Sequence, residues 1–112
     1  MNLITDHAQG IAIVRVNETR LTYPVLAEFT STITSIIESG ERVLLDLSNV
    51  TYVDSATIGC LMDLYRQAAA AGGALKLAGI QKRVETMLTM TGAESILDIH
   101  ADEPSALKSF GI

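Results

Sequence analysis

Cysteine, proline and aromatic residues are all scarce in this sequence of 112 residues. It holds one cysteine, two prolines and no tryptophan, and aromatic residues make up 4% of it. A single cysteine cannot form an internal disulfide, and no C-x-x-C pair or cysteine–histidine cluster is present to bind zinc. Both absences are typical of a reducing compartment, so we expect a cytoplasmic location. Two prolines and eight glycines are also too few for a disordered or collagen-like chain.

Positive charge and long apolar runs are scarce as well. Eight Lys and Arg residues face thirteen Asp and Glu residues, which gives a net charge of −5. This is the wrong sign for tracking nucleic-acid phosphates, so we expect no direct nucleic-acid binding. A bilayer-spanning helix needs about 20 apolar residues, and the richest region, Ile58–Ala71, is broken by Asp63 and Arg66. Met1–Gly10 lacks the pattern of a signal peptide. The sequence therefore predicts no membrane insertion.

What the chain does contain is an alternation of strand and helix patterns, with 48% hydrophobic residues, enough for one domain over residues 1–112. Strands are predicted at Met1–Thr5, Ile11–Val16, Val43–Leu47, Ala74–Ala78 and Ile96–Ile99. Helices are predicted from Pro24 to Gly40, from Asp54 or Ser55 to Gly72, from Val84 to Thr91 and from Pro104 to Phe110. This order predicts an α/β fold with a mixed β-sheet of about five strands, an N-terminal hairpin and about four α-helices.

Two segments fix the arrangement of this sheet. The run Val43–Leu47 is apolar on both of its faces, as in a strand that lies inside a parallel or mixed sheet, so we expect it at the centre. The first two strands are expected to pair through a turn at His7–Gly10. We therefore predict a hairpin at one side of the sheet and helical crossovers elsewhere.

Signatures of catalysis are missing. The chain has no G-x-S-x-G elbow, no phosphate-binding loop and no G-x-G-x-x-G motif. His7 and His100 lie in different terminal regions, and the acids Asp46 and Asp63 do not face one cleft in the predicted fold. Cys60 has no cationic neighbour that would lower its pKa, so we interpret it as a small core residue. We expect a binding protein rather than an enzyme, with no cofactor.

The strand-to-helix corner at Tyr52–Gly59 holds the remaining candidate site. Asp54 or Ser55 suits the N-cap of the following helix, where a capping bond contributes about 0.5–2 kcal/mol. The same helix start presents free amides and a partial positive charge, which tolerate an added phosphate. A phosphate on Ser55 would add about −1.5 to −2 charges beside Asp54. The residues alone leave both interpretations of Ser55 open, a structural cap or a phosphorylation switch.

Several segments occur together in a recognisable order. They are L-L-D-L-S-N-V-T-Y-V-D-S (Leu44–Ser55), the helix that ends at Gly72 and Gly73, the strand Leu75–Leu77, and V-x-x-M-L-x-M-T-G (Val84–Gly92). From about Ile11 to the carboxyl terminus, the chain resembles the bacterial STAS family, specifically its anti-sigma factor antagonists. The resemblance implies the STAS fold for the predicted mixed sheet. In that family, the serine directly after the motif aspartate is phosphorylated by a partner kinase that is itself the anti-sigma factor, and this position matches Ser55.

The resemblance also implies roles for the residues of the corner. The unphosphorylated protein would bind the anti-sigma factor and free a sigma factor for transcription. Asp54 would position Ser55, and the helix start formed by Ala56, Thr57 and Ile58 would touch the partner. The family commonly has Ser or Thr and then Gly after the phosphorylated serine, where this chain carries Ala56 and Thr57. Thr57 is therefore the second candidate for phosphorylation.

A turn after the second strand supplies the last candidate residues. The family has an aspartate there, close to the serine, whereas this chain carries Arg20 or Thr22, depending on the alignment gap. We place both residues in the predicted partner surface. Arg20 is further predicted to pair with a phosphate or with Asp54.

The partners that the resemblance implies are an anti-sigma factor with serine-kinase activity and a phosphatase. A homodimer stays open, because Met62 and Tyr65 suit a core as well as an interface. A second function also stays open, in which the chain is a constitutive STAS scaffold or an adaptor subunit of a stress-signalling or transport complex. In that case the motif serine would only cap its helix.

Overall fold

The computed structural model describes all 112 residues as seven strands and four α-helices. The strands are β1 (Leu3–Ala8), β2 (Ile11–Val16), β3 (Arg20–Leu21), β4 (Arg42–Asp46), β5 (Tyr52–Val53), β6 (Leu75–Ala78) and β7 (Ile99–His100). The helices are α1 (Leu26–Glu38), α2 (Ser55–Ala70), α3 (Lys82–Thr91) and α4 (Glu103–Ser109). The main sheet has the order β1-β2-β4-β6-β7, with β1 antiparallel to β2 and the other pairs parallel. The predicted α/β fold is confirmed, and β4 is the central strand as expected.

The N-terminal hairpin is tighter than the sequence pattern suggested. Its turn consists of Gln9 and Gly10 alone, which have φ angles of 52° and 79°. Positive φ at both positions is the conformation of the two-residue turns that match the twist of paired strands. The ladder therefore runs up to the pair Ala8 and Ile11. The prediction that the first strand ends at Thr5 and the turn spans His7–Gly10 was wrong for this reason.

The last strand also differs from the prediction. The apolar run Ile96–Ile99 was expected to form it, but the paired residues are Ile99 and His100. A short 3₁₀ turn over Ala93–Ser95 follows α3, and the Ile96 amide bonds back to the Ala93 carbonyl at 3.0 Å. Leu97 is buried in the main core. Its apolar character therefore reflects packing under the turn rather than strand pairing.

A second, two-stranded sheet was not predicted. Strands β3 and β5 pair in parallel, with Arg20 opposite Tyr52 and Leu21 opposite Val53. The Thr51 amide also donates to the Thr19 carbonyl at 2.8 Å. This small sheet joins the segment after β2 to the segment directly before α2, and it thereby builds one wall of the corner that the sequence singled out.

Both faces of the main sheet are covered by helices. On one face, α1, α2 and α3 contribute to a core cluster of 21 buried residues that includes Val14, Leu45 and Leu77 from the strands. On the other face, Phe110 and α4 cover a smaller cluster that includes Leu44. Burying each such side chain stabilises the fold by about 1.5–3 kcal/mol relative to leaving it exposed. No helix has the length and apolar content needed to cross a membrane.

Candidate functional site

The Asp54 carboxylate holds together two segments at the predicted corner. Its backbone is extended (φ −103°, ψ 176°), and its Oδ1 accepts a hydrogen bond of 2.9 Å from the Thr57 amide, which caps α2. Its Oδ2 accepts a second bond of 2.9 Å from the Tyr23 amide, at the 3₁₀ turn that leads into α1. Of the two candidate caps, Asp54 is therefore the cap, and Ser55 is the first residue of the helix.

These contacts also set the charge of Asp54. Burial raises the pKa of its carboxyl, but the bonds donated by the Thr57 hydroxyl, the Tyr23 amide and the Thr57 amide together outweigh burial and hold the pKa below its ordinary value of 3.8. Asp54 is therefore ionised at neutral pH. Its negative charge is directed at donors inside the protein, so Asp54 acts as a positioning residue for the corner.

Ser55 is exposed and its hydroxyl makes no hydrogen bond within the protein. Ala56 beside it is also exposed. The first amide bonded within the helix is that of Ile58, and the Thr57 amide donates to the Asp54 side chain. The amides of Ser55 and Ala56 therefore stay free. The positive end of a helix with free amides is a favourable environment for an anionic group. The structure thus presents an accessible hydroxyl in a setting that suits a phosphate.

Thr57 has the opposite character. It is the only buried polar residue of the chain, and its Oγ1 lies 2.8 Å from the Leu21 carbonyl oxygen and 2.6 Å from Asp54 Oδ1. It therefore ties β3 to the start of α2. A kinase needs an accessible hydroxyl, so the burial of Thr57 argues against its prediction as a second phosphorylation site.

The other predicted contact residues divide into buried and exposed ones. Ile58 is only 6% exposed and belongs to the main core, which argues against a large contact with a partner, although it lines a surface depression. Thr22 is half-buried, and its carbonyl accepts a bond from the Val25 amide in the 3₁₀ turn. Arg20 is exposed. Its guanidinium lies 4.4 Å from the Tyr52 ring centroid, and the predicted ion pair with Asp54 is not formed.

The structure adds residues of α3 that the sequence did not single out. The Arg83 guanidinium lies 5.7 Å from the same Tyr52 ring, so two arginines from distant segments flank one aromatic side chain. Met87 and Met90 follow Arg83 at positions i+4 and i+7, on the same helix face, and both line a depression that also contains Ser55. That helical spacing was the one signal in the sequence that connects these residues.

Cys60 is placed in a different groove, between α1 and α2, which has a volume of about 680 Å³. The thiol packs against the main core and is half-buried, so it is less enclosed than the predicted core residue. Its Sγ lies 3.0 Å from Thr30 Oγ1. Burial and the nearby Asp63 raise the pKa of the thiol, and the Thr30 contact offsets this only in part. Cys60 therefore stays a protonated thiol at neutral pH.

The mixed sheet, its N-terminal hairpin and an exposed serine after a capping aspartate define a STAS-type domain. A family model described as STAS domain matches residues 2–106, and the chain belongs to this family. The anti-sigma-B factor antagonist of Bacillus subtilis (strain 168) is 31% identical over 78 residues, which are 70% of this chain and 69% of the relative. The anti-sigma F factor antagonist of Paenibacillus polymyxa is 28% identical over 67 residues, 60% of this chain and 57% of the relative. The resemblance seen in the sequence is confirmed.

Solved structures agree with this fold. An anti-sigma-factor antagonist (STAS) domain protein from Planctomyces limnophilus has a TM-score of 0.88 at 16% identity, over 98% of each chain. The anti-sigma factor antagonist SpoIIAA in its unphosphorylated form has a TM-score of 0.80 at 15% identity, over 99% of this chain and 98% of that chain. The phosphorylated form of SpoIIAA from Bacillus has a TM-score of 0.72 at 14% identity, over 97% of this chain and 99% of that chain. At these identities, the likeness shows a shared fold.

Proposed function

We propose that this STAS domain is an anti-sigma factor antagonist, a binding protein rather than an enzyme. In its unphosphorylated form it binds an anti-sigma factor that is also a serine kinase, and a sigma factor is thereby freed for transcription. Phosphorylation of Ser55 ends the complex, and a phosphatase restores it. The domain acts in the cytoplasm and needs no cofactor. The names of its relatives in Bacillus subtilis and Paenibacillus polymyxa support this function.

The observation that carries the proposal is the difference between Ser55 and its neighbours on the helix start. Ser55 is exposed and unbonded, whereas Asp54 and Thr57 on either side are fixed by hydrogen bonds inside the protein. A phosphate on Ser55 adds about −1.5 to −2 charges and three acceptor oxygens. The free first-turn amides of α2 accommodate that charge, so the modification changes the surface without disturbing the core.

The surface around Ser55 is the docking area in this proposal. Ala56 on the same helix turn and Arg20 on β3 are exposed, and Thr22 lies between β3 and the 3₁₀ turn that Asp54 anchors. A partner seated on these residues would cover Ser55. An added phosphate would then have to be desolvated or accommodated by the partner, which lowers affinity unless the partner supplies a matching positive charge.

The test uses the anti-sigma factors with a serine-kinase domain that the same genome encodes. Each is purified and incubated with the full chain, ATP and Mg²⁺, and the intact mass is measured by mass spectrometry. We expect one phosphate on wild type and none on Ser55→Ala. Ser105→Ala is the matched control, because Ser105 is also an exposed serine at the start of an aspartate-capped helix. It should be phosphorylated like wild type.

A binding titration completes the test. The kinase that modifies the chain should bind unphosphorylated wild type and Ser55→Ala, and it should bind the phosphorylated chain more weakly. If the phosphorylated and unphosphorylated forms bind equally, the switch is wrong. If no kinase of the panel modifies wild type, the constitutive scaffold or adaptor function is favoured instead.

A further inference from the structure

The depression between α2 and α3 lies beside Ser55 and has a volume of about 330 Å³. Its lining includes Tyr52, Val53, Ser55, Ile58, Met87 and Met90. We propose that this α2–α3 depression, together with Arg20 and Arg83 on Tyr52, binds an acidic protein surface that presents an apolar side chain. The inference deepens the proposed function and rests on it, because it states the chemistry of the surface with which the anti-sigma factor docks.

The first support is the distribution of positive charge. The chain as a whole carries a net charge of −5, and three of its six other Lys and Arg residues are paired with carboxylates. Arg15 pairs with Asp6 and Glu103, Arg66 pairs with Asp63, and Lys76 pairs with Asp98. Arg20 and Arg83 have no carboxylate partner, and both lie against the Tyr52 ring. Two uncompensated guanidinium groups are thus gathered at one place on an acidic protein.

Their position on an aromatic ring makes this charge suitable for binding. Stacking on Tyr52 limits the conformations of two long side chains that would otherwise be free, so less entropy is lost when they bind a partner. Guanidinium groups bind carboxylates in a planar, bidentate geometry. Lys82, which precedes Arg83 at the start of α3, is also exposed and unpaired and adds to the positive potential. The complementary partner surface is therefore acidic.

The second support is the apolar character of the depression. Met90 is 82% exposed, the largest exposure among the large hydrophobic side chains that face solvent. Met87 is half-buried and packs against the main core, and the edge of Ile58 closes the floor. Methionine side chains adapt their shape to an inserted apolar group. An apolar patch beside a cluster of arginines is typical of the centre of a protein interface.

The arrangement also explains how Ser55 would control the partner. Asp54 also lines the depression, but its carboxylate accepts bonds from the Tyr23 and Thr57 amides, and the positive charge beside the depression comes from Arg20 and Arg83 on the lining residue Tyr52. A phosphate on Ser55, another lining residue, adds about −1.5 to −2 charges close to these two arginines. This nearly equals the positive charge of the two guanidinium groups. An acidic partner would then lose its attraction and meet a like charge.

The experiment measures association rates with the anti-sigma factor that phosphorylates wild type in the panel described above. The Arg20→Glu/Arg83→Glu chain should associate about tenfold more slowly at low salt, because charge complementarity mainly accelerates association. The milder Arg20→Gln/Arg83→Gln chain should show a smaller loss and a weaker salt dependence. Lys108→Glu is the matched control, because Lys108 is an exposed cation without an ion pair on α4, which covers the other face of the sheet. Its rate should change by less than about twofold.

A second pair of variants tests the apolar part. Met90→Gln keeps the length and helix propensity of the side chain and should accelerate dissociation by at least about fivefold. Ile4→Thr is its control, because Ile4 is an exposed apolar residue (49%) on the edge strand β1. It should leave binding unchanged. Circular dichroism and thermal unfolding confirm that all variants fold.

The outcomes separate the two proposals. If no anti-sigma factor of the panel binds wild type, the proposed function fails and the inference fails with it. If one binds wild type but the arginine variants associate as fast as wild type, only the inference is overturned. If the arginine variants change the sedimentation of the chain alone, the depression is a homodimer interface and the inference is likewise overturned.

Discussion

Asp54 Oδ1 and Thr57 Oγ1 lie 2.6 Å apart, and each residue also bonds a segment that is distant in sequence. Asp54 accepts a hydrogen bond from the Tyr23 amide, and the Thr57 hydroxyl donates one of 2.8 Å to the Leu21 carbonyl oxygen. The pair therefore joins the start of α2 to β3 and to the 3₁₀ turn before α1. This network fixes the start of α2 on the inner side of the corner, while Ser55 stays exposed.

Replacing the cap should destabilise the fold. We expect Asp54→Ala to lower the free energy of unfolding by about 0.5–2 kcal/mol, since it removes the acceptor of the Thr57 and Tyr23 amides. Urea denaturation followed by circular dichroism measures this change. Asp102→Ala is the control, because Asp102 caps only the short helix α4 through the Ser105 amide. Equal losses in the two variants would contradict the bridging role of Asp54.

The stability of the corner should depend on pH in a defined direction. The folded state holds the pKa of Asp54 below its ordinary value of 3.8, so the contribution of its charged form is complete above that value. It is lost as the pH falls through the lower pKa of the folded state. The difference in unfolding free energy between wild type and Asp54→Asn should therefore be constant near neutral pH and shrink below about pH 4. Urea denaturation at a series of pH values measures it, and a difference that stays the same at pH 3 would refute the expectation.

The buried hydroxyl of Thr57 should matter for stability and not for phosphorylation. Thr57→Val removes the donor that faces the Leu21 carbonyl and Asp54, which should cost about 1–3 kcal/mol. Thr57→Ser keeps the hydroxyl and serves as the control. Both folded variants should still accept one phosphate at Ser55. If folded Thr57→Val lost all phosphate while Thr57→Ser kept it, as measured by intact mass, Thr57 would be the acceptor and the expectation would be wrong.

The hairpin turn offers a prediction that is independent of the site. Gln9 has a φ angle of 52°, which a side chain other than Asn or Gly adopts only with strain. Gln9→Asn should therefore stabilise the protein by about 0.5 kcal/mol, because Asn-Gly is the preferred sequence of this turn. Gly10→Ala should destabilise it by about 1 kcal/mol or more, since Gly10 has a φ angle of 79°. Thermal unfolding distinguishes the two, and a destabilised Gln9→Asn chain would disprove the turn geometry.

Most of the fold could be predicted because its signals are local. The periodic apolar residues of α1 and α2, the continuous run in β4 and the positive-φ glycine after α3 each determine an element within a few residues. The position of the cap followed in the same way, since spacing had reduced it to Asp54 or Ser55, whereas the role of Ser55 came from the family resemblance and stays a prediction. Local sequence pattern was sufficient for these features.

What could not be predicted depends on contacts between distant segments. The pairing of β3 with β5 involves two residues on each side, too few for a periodic pattern. Arg20, Tyr52 and Arg83 meet only after that pairing and the packing of α3. The burial of Thr57 had a local signal, since the third residue of a helix often bonds back to its cap, but its contact with Leu21 had none.

The helices that cover both faces of the main sheet limit how far a change at Ser55 could alter the rest of the structure. Phe110 and α4 pack on one face of the sheet, and α1, α2 and α3 pack on the other. The central strands are therefore packed on both faces. Close-packed interiors of this kind resist small continuous deformations. In the proposed function, we therefore expect a phosphate on Ser55 to affect only the molecule that binds at that surface. We expect no movement to be relayed from Ser55 to a remote site.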